Sequence, residues 1–118
     1  MSLIDELSAM PGVIAAGEYS YRGDRFSCQG QLDDDKARMA SIMCRATTMA
    51  VHMQADMMKG LGTDCGCAPA RGWIVRGQQF SVCTIANVFC FISNQAASLN
   101  AVMEVMRDKV PHQEGGLI

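Results

Sequence analysis

Two cysteines separated by one glycine, Cys65 and Cys67, have the residue type and spacing best suited to local chemistry. Asp64 precedes them, and thiolates this close together could contribute to a zinc or other soft-metal site. A structural zinc normally needs four protein ligands, and this segment supplies two thiolates. His52 and His112 are distant in sequence, although two copies of the segment in a dimer would bring four sulfur atoms. A disulfide between the two cysteines would close a small, strained and easily reduced ring.

The favoured interpretation of this segment is a glycine-containing loop with incidental thiols, so we predict no metal and no cofactor. Other catalytic signatures are missing from the sequence: it has no Walker loop, no GxGxxG fingerprint and no GxSxG elbow. The acid run Asp33 to Asp35 is a second metal candidate, but acids at the start of a helix usually cap it. We therefore predict that the chain is not an enzyme.

Composition narrows the classes of partner and location. The chain has 118 residues, of which 49% are apolar, and this fits one globular domain with a sizeable core. Its formal charge of −2 provides no basic field for nucleic acid. No apolar run reaches the roughly 18 residues that a membrane span needs, and the amino terminus lacks a basic signal-peptide region. We predict a cytoplasmic protein, whose six cysteines are reduced thiols. Cys28, Cys83 and Cys90 lie inside strand-like runs, where we expect a thiol to act as a small apolar residue.

Periodicity and turn residues predict the order α-β-β-α-β-β-β-α. A short helix in "SLIDELSAM" ends at Pro11-Gly12, and "VIAAGEYSY" and "RFSCQGQ" form a hairpin around "RGD". Alternation along the first of these strands places Val13, Ala15, Tyr19 and Tyr21 on one face. A long helix begins at the Asp33 to Asp35 run and ends near Gly60 or Gly62. Three strands, "GWIVRG", "QFSVCTI" and "VFCFIS", precede a last helix. We expect one domain over residues 1–110 and a flexible tail over 111–118.

The long helix carries two apolar groups. At about 100° per residue, six residues fall within one arc of roughly 80°, with the spacing 4, 3, 4, 3, 4 of a heptad-like seam. They are Met39, Met43, Ala46, Ala50, Met53 and Met57. The second group lies about 120° away and contains Ala40, Cys44, Val51, Ala55 and Met58. The predicted polar arc is narrow and contains Arg38, Ser41, Arg45, Thr48, His52, Asp56 and Lys59.

A surface helix normally needs one apolar stripe, about 100° wide, to cover the core. One sheet can cover one of the two groups, so something else must cover the other. A second copy of the same helix is the simpler explanation, because Ala46 and Ala50 would let two helices approach closely. The methionines would then fill irregular gaps on either side. The alternative is that one subunit buries both groups, and the sequence leaves open which group meets the sheet.

The element order, the "LSAMPGVIAAG" opening, the "YRGD" hairpin and the closing strands "GWIVRG…FSVCTI…VFCFIS" resemble the roadblock/LC7 family. The resemblance covers roughly residues 2 to 110 and is one of topology and apolar positions. It implies an α+β fold, a profilin-like sandwich in which a five-stranded antiparallel sheet packs with a long central helix and two short helices. The chain resembles a bacterial offshoot of this family, and it departs from the family in its methionine and cysteine content and in its "DCGC" loop.

The resemblance also implies pairing, since domains of this kind form homodimers or paired heterodimers, and we expect a homodimer. Domains of this kind pair through their central helices, and the third strand of each subunit can join its mate into one sheet. The implied interface consists of the six seam residues Met39, Met43, Ala46, Ala50, Met53 and Met57 together with Ile74 of the third strand. Family members act as non-enzymatic scaffolds or regulators of small Ras-like GTPases, dynein motors and bacterial polarity systems. A small GTPase or another cytosolic protein is therefore the expected partner.

Two functional hypotheses follow. The first is a homodimeric interaction module, which the excess apolar helix surface and the missing catalytic residues favour. The second is a thiol, metal or sulfur-handling redox accessory protein that uses Cys65 and Cys67. Replacement of both cysteines discriminates between them, because only the second hypothesis needs the thiols.

Overall fold

The computed structural model describes residues 2–60, 70–95 and 99–110. The predicted element order is confirmed along these ranges. The helices are α1 (Leu3–Ser8), α2 (Asp34–Lys59) and α3 (Leu99–Lys109). The strands are β1 (Val13–Tyr19), β2 (Phe26–Gly30), β3 (Gly72–Arg76), β4 (Phe80–Ile85) and β5 (Val88–Ser93). The predicted tail, residues 111–118, and the cysteines Cys65 and Cys67 lie outside the described residues.

The five strands form one antiparallel sheet, as predicted, and the strand order in this sheet is β2-β1-β5-β4-β3. Consecutive strands that are joined by short turns pair as hairpins, and β5 returns to lie beside β1. β2 and β3 are consequently the two edges of this sheet. The edge strand β3 has backbone groups on its outer side that no strand of the described residues pairs.

Polar residues at the predicted positions cap the first two helices. The Ser2 side chain accepts a hydrogen bond from the Asp5 backbone N–H, and the Asp33 carboxylate accepts one from that of Lys36. Each bond satisfies one of the backbone donors that a helix start leaves without a helical partner. The acid run at Asp33 is therefore a helix start, which agrees with the favoured interpretation of that run.

The helices cover both faces of the sheet. α1 and α3 pack on one face, and their shared core contains Leu7, Ala16, Cys83, Cys90, Ile92, Val102 and Met106. The exposed ends of these two helices are joined by an ion pair between Lys109 and Glu6. α2 packs on the opposite face over Ala15, Tyr19, Val82, Phe89 and Phe91. The described elements therefore form a three-layer sandwich, in which α2 is the one described helix on its side of the sheet.

One prediction about β1 was wrong. Alternation along the strand placed Val13 and Ala15 on the same face, but the register shifts between these two residues at a β-bulge. Val13 therefore packs against α1 and α3, whereas Ala15 packs beneath α2. A bulge adds one residue to one strand of a pair and so reverses the facing of the residues before it.

α2 turns its small side chains towards the sheet. Its buried residues are Ala37, Ala40, Ser41, Cys44, Thr48 and Ala55. The sheet surface beneath them is built from large aromatic rings: Tyr19 and Phe89 stack with their ring centroids 6.5 Å apart, and Phe91 meets Phe89 edge to face. Small groups on the helix and large groups on the sheet fill the interface at the close packing of a protein interior.

The polar arc predicted for α2 was wrong at Ser41 and Thr48, which are buried with 4% and 8% of their surfaces exposed. Both hydroxyls are satisfied by hydrogen bonds. Ser41 Oγ donates to the Ala37 carbonyl oxygen at 2.9 Å. Thr48 Oγ1 accepts from the Tyr19 hydroxyl and from the Trp73 indole Nε1–H, each at 2.8 Å. A hydroxyl that finds such partners can face a core at little cost, so its polarity did not reveal its facing.

The Thr48 hydroxyl fixes α2 to β1 and β3 at once, so we predict that Thr48→Val lowers the free energy of unfolding by about 1–3 kcal/mol. The substitution keeps the shape of the side chain and removes the shared acceptor of two donors. Urea denaturation followed by Trp73 fluorescence measures the change. Thr47→Val is the matched control, since Thr47 is the neighbouring helix residue and makes neither bond. Equal stabilities for the two variants would show that the Thr48 hydroxyl does not hold the helix in place.

Candidate interaction surface

The methionine seam of α2 faces away from the sheet. Met39, Met53 and Met57 expose 66%, 66% and 68% of their surfaces, and Met43 exposes 55%. Ala46 and Ala50 between them are also exposed. This answers the question that the sequence left open: the group with Ala40, Cys44 and Ala55 meets the sheet, and the seam does not.

Two further apolar residues widen this surface. Ile42 and Met49 each expose 57% of their surfaces and border the seam on one side. We call the eight residues the methionine face; they are Met39, Ile42, Met43, Ala46, Met49, Ala50, Met53 and Met57. At a rise of about 1.5 Å per residue the face is roughly 27 Å long and spans about 120° of the helix. An exposed apolar patch of this extent is larger than most small domains leave in water, so the methionine face is the candidate interaction surface.

A groove continues the methionine face onto the sheet. It encloses about 340 Å³ and is lined by Ile14, Leu32, Lys36, Met39, Ala40, Met43, Phe80 and Phe91. Phe80, at the start of β4, is half exposed and packs its ring edge to face on Phe91. Sequence reasoning missed the groove because its walls come from four separate segments of the chain. The available signal was Phe80 itself, an aromatic residue that follows a polar turn at a strand end.

The edge strand β3 presents apolar side chains on both faces of the sheet. Trp73 lies under α2, while Ile74 lies on the opposite face beside Met103 and Arg107 of α3. Ile74 exposes 46% of its surface, and its neighbour Val75 exposes 55%. Ile74 is thus separated from the six seam residues by the thickness of the sheet. The two parts of the predicted interface are both exposed but do not form one continuous patch within a subunit.

Three of the four described thiols, those of Cys28, Cys44 and Cys90, have raised pKa values, whereas the hydrogen bond with Cys90 lowers the pKa of the fully buried Cys83. Burial raises the pKa of Cys44 to about 12, with a smaller opposing effect from the Thr84 hydroxyl. The pKa of Cys90 is raised by its hydrogen bond to Cys83, which faces it across β4 and β5, and by burial. Burial also raises the pKa of the half-buried Cys28. Thiols with raised pKa values stay protonated at neutral pH and react slowly. They act as small core residues, as predicted for those in the strands.

The described residues bring no metal centre together. Within residues 2–60, 70–95 and 99–110, no three His, Cys, Asp or Glu side chains are placed to share a cation. None of the helices described there combines the length and apolar character needed to cross a bilayer.

A family model for uncharacterized conserved proteins, DUF2173, matches residues 3–108. The chain belongs to the DUF2173 family. Among solved structures, the DUF2173 chain is similar to the roadblock/LC7 domain from Streptomyces avermitilis, with a TM-score of 0.61 and 16% identity over 93% of both chains. The expected roadblock/LC7 fold is thereby confirmed, and at this identity the likeness concerns the fold alone. No curated protein sequence matches the chain.

The burial of the thiols predicts their order of modification. In a Cys65→Ser/Cys67→Ser variant of the DUF2173 chain, iodoacetamide at pH 8 should alkylate half-buried Cys28 first. Cys44, Cys83 and Cys90 should react only as fast as the protein opens, because they are buried. Mass spectrometry of peptides over time measures the four rates. Rapid alkylation of Cys44 in the folded protein would contradict its placement between α2 and the sheet.

Proposed function

We propose that this chain is a non-enzymatic, homodimeric module of the cytoplasm that binds and regulates another protein. The observation that carries the proposal is the methionine face, an apolar stripe that the described part of the subunit leaves exposed. Burying such surface against a partner is favourable at about 25 cal/mol per Å². A second copy is the partner we infer first.

The order of residues along the seam supports a two-fold pair. Read from either end it gives Met, Met, Ala, Ala, Met, Met with the spacing 4, 3, 4, 3, 4. Two antiparallel copies related by a two-fold axis between Ala46 and Ala50 would place Met39 against Met57 of the partner subunit. Ala46 would then lie against Ala50 of the partner subunit. A two-fold interface requires this kind of self-complementary surface, and alanines at the crossing permit the closest approach of the helices.

The fold is the basis for proposing a protein partner other than the second copy of this chain. The roadblock/LC7 fold favours a regulatory module for other proteins, and a small Ras-like GTPase is the partner class that the family resemblance suggests. In the proposed assembly, β3 with Ile74 and Val75 adds an exposed strand edge to the paired helices. Such an edge can extend the sheet into the mate by backbone hydrogen bonds. Incubation of the purified dimer with cytosolic extract, followed by enrichment of GTP-binding proteins on an immobilised nucleotide, tests this partner class directly.

Ala50→Glu tests the pairing. In a two-fold dimer the substitution buries a carboxylate in each half of the seam, and a buried unpaired charge is strongly unfavourable. We expect the wild-type chain to elute as a dimer and Ala50→Glu as a folded monomer, measured by light scattering during size-exclusion chromatography with circular dichroism as the folding check. His52→Glu is the matched control, because His52 is exposed on the same helix outside the methionine face. A monomeric wild type, or a dimeric Ala50→Glu, would refute the seam.

Met53→Ala gives a milder test of the same seam. The side chain is exposed in the subunit, so its truncation should leave the stability of the monomer within about 0.5 kcal/mol. The dimer should weaken by about 2–5 kcal/mol if the site is buried there.

The alternative is a thiol, metal or sulfur-handling accessory protein that uses Cys65 and Cys67. No described residue supports it, and the four described thiols are unsuited to it. We expect the Cys65→Ser/Cys67→Ser variant to retain dimerisation, partner capture and its metal content as measured by elemental analysis. Loss of a bound metal or of a thiol reaction in that variant would favour the alternative instead.

A further inference from the structure

A cleft separates the β1–β2 hairpin from the first half of α2. It encloses about 330 Å³ and is lined by Tyr19, Gly23, Asp24, Arg25, Phe26, Arg38, Ser41, Ile42 and Arg45. Three of the seven arginines of the chain thus meet in one cavity, in a protein whose formal charge is −2. Arg38 and Arg45 stand two turns apart on α2, and Arg25 belongs to the hairpin. None of these three arginines belongs to the methionine seam.

Arg45 is held in place by the hairpin. Its Nε–H donates to the Tyr21 carbonyl oxygen at 2.9 Å, which fixes the plane of the guanidinium. The guanidinium packs beside Gly23, which has φ +82°, and a Cβ at Gly23 would come within 3.0–3.2 Å of Arg45 atoms. A glycine at this turn therefore gives the positive φ and leaves the space that Arg45 occupies. A guanidinium fixed before the ligand arrives loses less entropy on binding.

Asp24, the acidic residue of the cleft, is held by a hydrogen bond within its own turn. Asp24 Oδ1 accepts a hydrogen bond from the Ser20 hydroxyl at 2.7 Å, and this bond is the main reason that the pKa of Asp24 lies below its usual value. Ser20 Oγ in turn accepts from the backbone N–H groups of Asp24 and Arg25. The hairpin turn is thus stabilised by its own hydrogen bonds. Arg38 and Arg45, on the helix side of the cleft, are the groups on which the proposed site depends.

The remaining side chains around the cleft include two that are apolar and two whose hydroxyl groups already have hydrogen-bond partners. Phe26 is 40% exposed and Ile42 is 57% exposed, and they form an apolar wall beside the guanidiniums. The buried hydroxyls of Ser41 and Tyr19 are occupied by the Ala37 carbonyl and by Thr48. The cavity therefore combines cationic, fork-shaped donors at one side with a flat apolar surface at another. Guanidinium pairs of this kind match the oxygens of a phosphate group in a bidentate way.

We propose that this cleft binds a small phosphate monoester, with its phosphate between Arg38 and Arg45 and a flat apolar ring against Phe26 and Ile42. The site meets the methionine face at Ile42 but contains none of the six seam residues that the mate would contact, so it does not depend on pairing. It gives the module a small-molecule input beside the surface that binds its mate.

Phenyl phosphate is the probe, because it carries both parts of the proposed ligand. Titration of the full chain, followed by two-dimensional NMR, should give saturable binding with shifts at Arg38, Arg45 and Phe26. Arg38→Gln should weaken binding about tenfold or more, and Arg38→Lys should weaken it less, because lysine keeps the charge and loses the fork. Arg76→Gln, an exposed arginine of β3 outside the cleft, is the matched control and should bind as the wild type does.

The pH dependence separates phosphate recognition from ring packing. A phosphate monoester dianion takes up one proton near pH 6 and becomes a monoanion, whereas arginine stays charged throughout, so affinity should fall from pH 7.5 to pH 5. Phenol should not bind, and inorganic phosphate should bind more weakly than phenyl phosphate. The proposal is overturned if binding does not saturate, if Arg38→Gln equals Arg76→Gln, if phenol binds as well as phenyl phosphate, or if inorganic phosphate matches it. The Ala50→Glu variant should bind the probe like the wild type, so the two proposals fail independently.

Discussion

The rotational setting of α2 on the sheet determines the surface chemistry of the whole domain. Aromatic rings on β1, β3 and β5 occupy the space under the helix, so only alanine, serine, cysteine and threonine side chains fit between helix and sheet. The longer methionines have no room there and are turned outwards. Thr48 fixes this rotation, because its single hydroxyl accepts from both Tyr19 and Trp73. A helix rotated by half a turn would bury methionines against rings already in contact and would expose Cys44.

Much of the architecture was predictable because it depends on local signals. The caps at Ser2 and Asp33, the Pro-Gly stop after α1 and the β-branched strands fixed the elements and their order. The facing of individual residues was less predictable. Val13 changed face at a bulge that no residue in the sequence predicts. Ser41 is buried with its hydroxyl bonded to the preceding turn of its own helix, and the Thr48 hydroxyl has a partner 29 residues away in the sequence. Polarity alone does not determine burial once a hydrogen bond is available.

The candidate sites differ in how far the sequence revealed them. The methionine face was visible as a repeat within one helix, since all its members share one periodicity. The arginine cleft was not visible, because Arg38 and Arg45 look like solvated residues of a polar arc until the hairpin turn with Gly23 is placed beside them. The groove beside Phe80 was missed for the same reason. Sites built from one element can be predicted from periodicity, and sites built across elements need the fold.

The methionines of the exposed face can adapt to a partner surface in a way that leucines could not. The methionine side chain is unbranched and polarisable, so in the proposed dimer the face can pack against its own copy without a rigid match. The alanines at the centre of the seam set how near a partner helix can come, and the methionines adjust to whatever lies beyond. This division of roles makes the face tolerant of small changes in crossing angle.

α1 and α3, on the face of the sheet opposite α2, provide a place to attach a label or a second protein. α1 and the end of α3 are joined by the ion pair between Glu6 and Lys109, on the face of the sheet opposite to the methionine face. A fluorophore or an affinity handle attached near Ser2 would therefore lie a full sheet thickness away from the seam. The same geometry would let a second folded unit be fused there while the methionine face of α2 stays accessible.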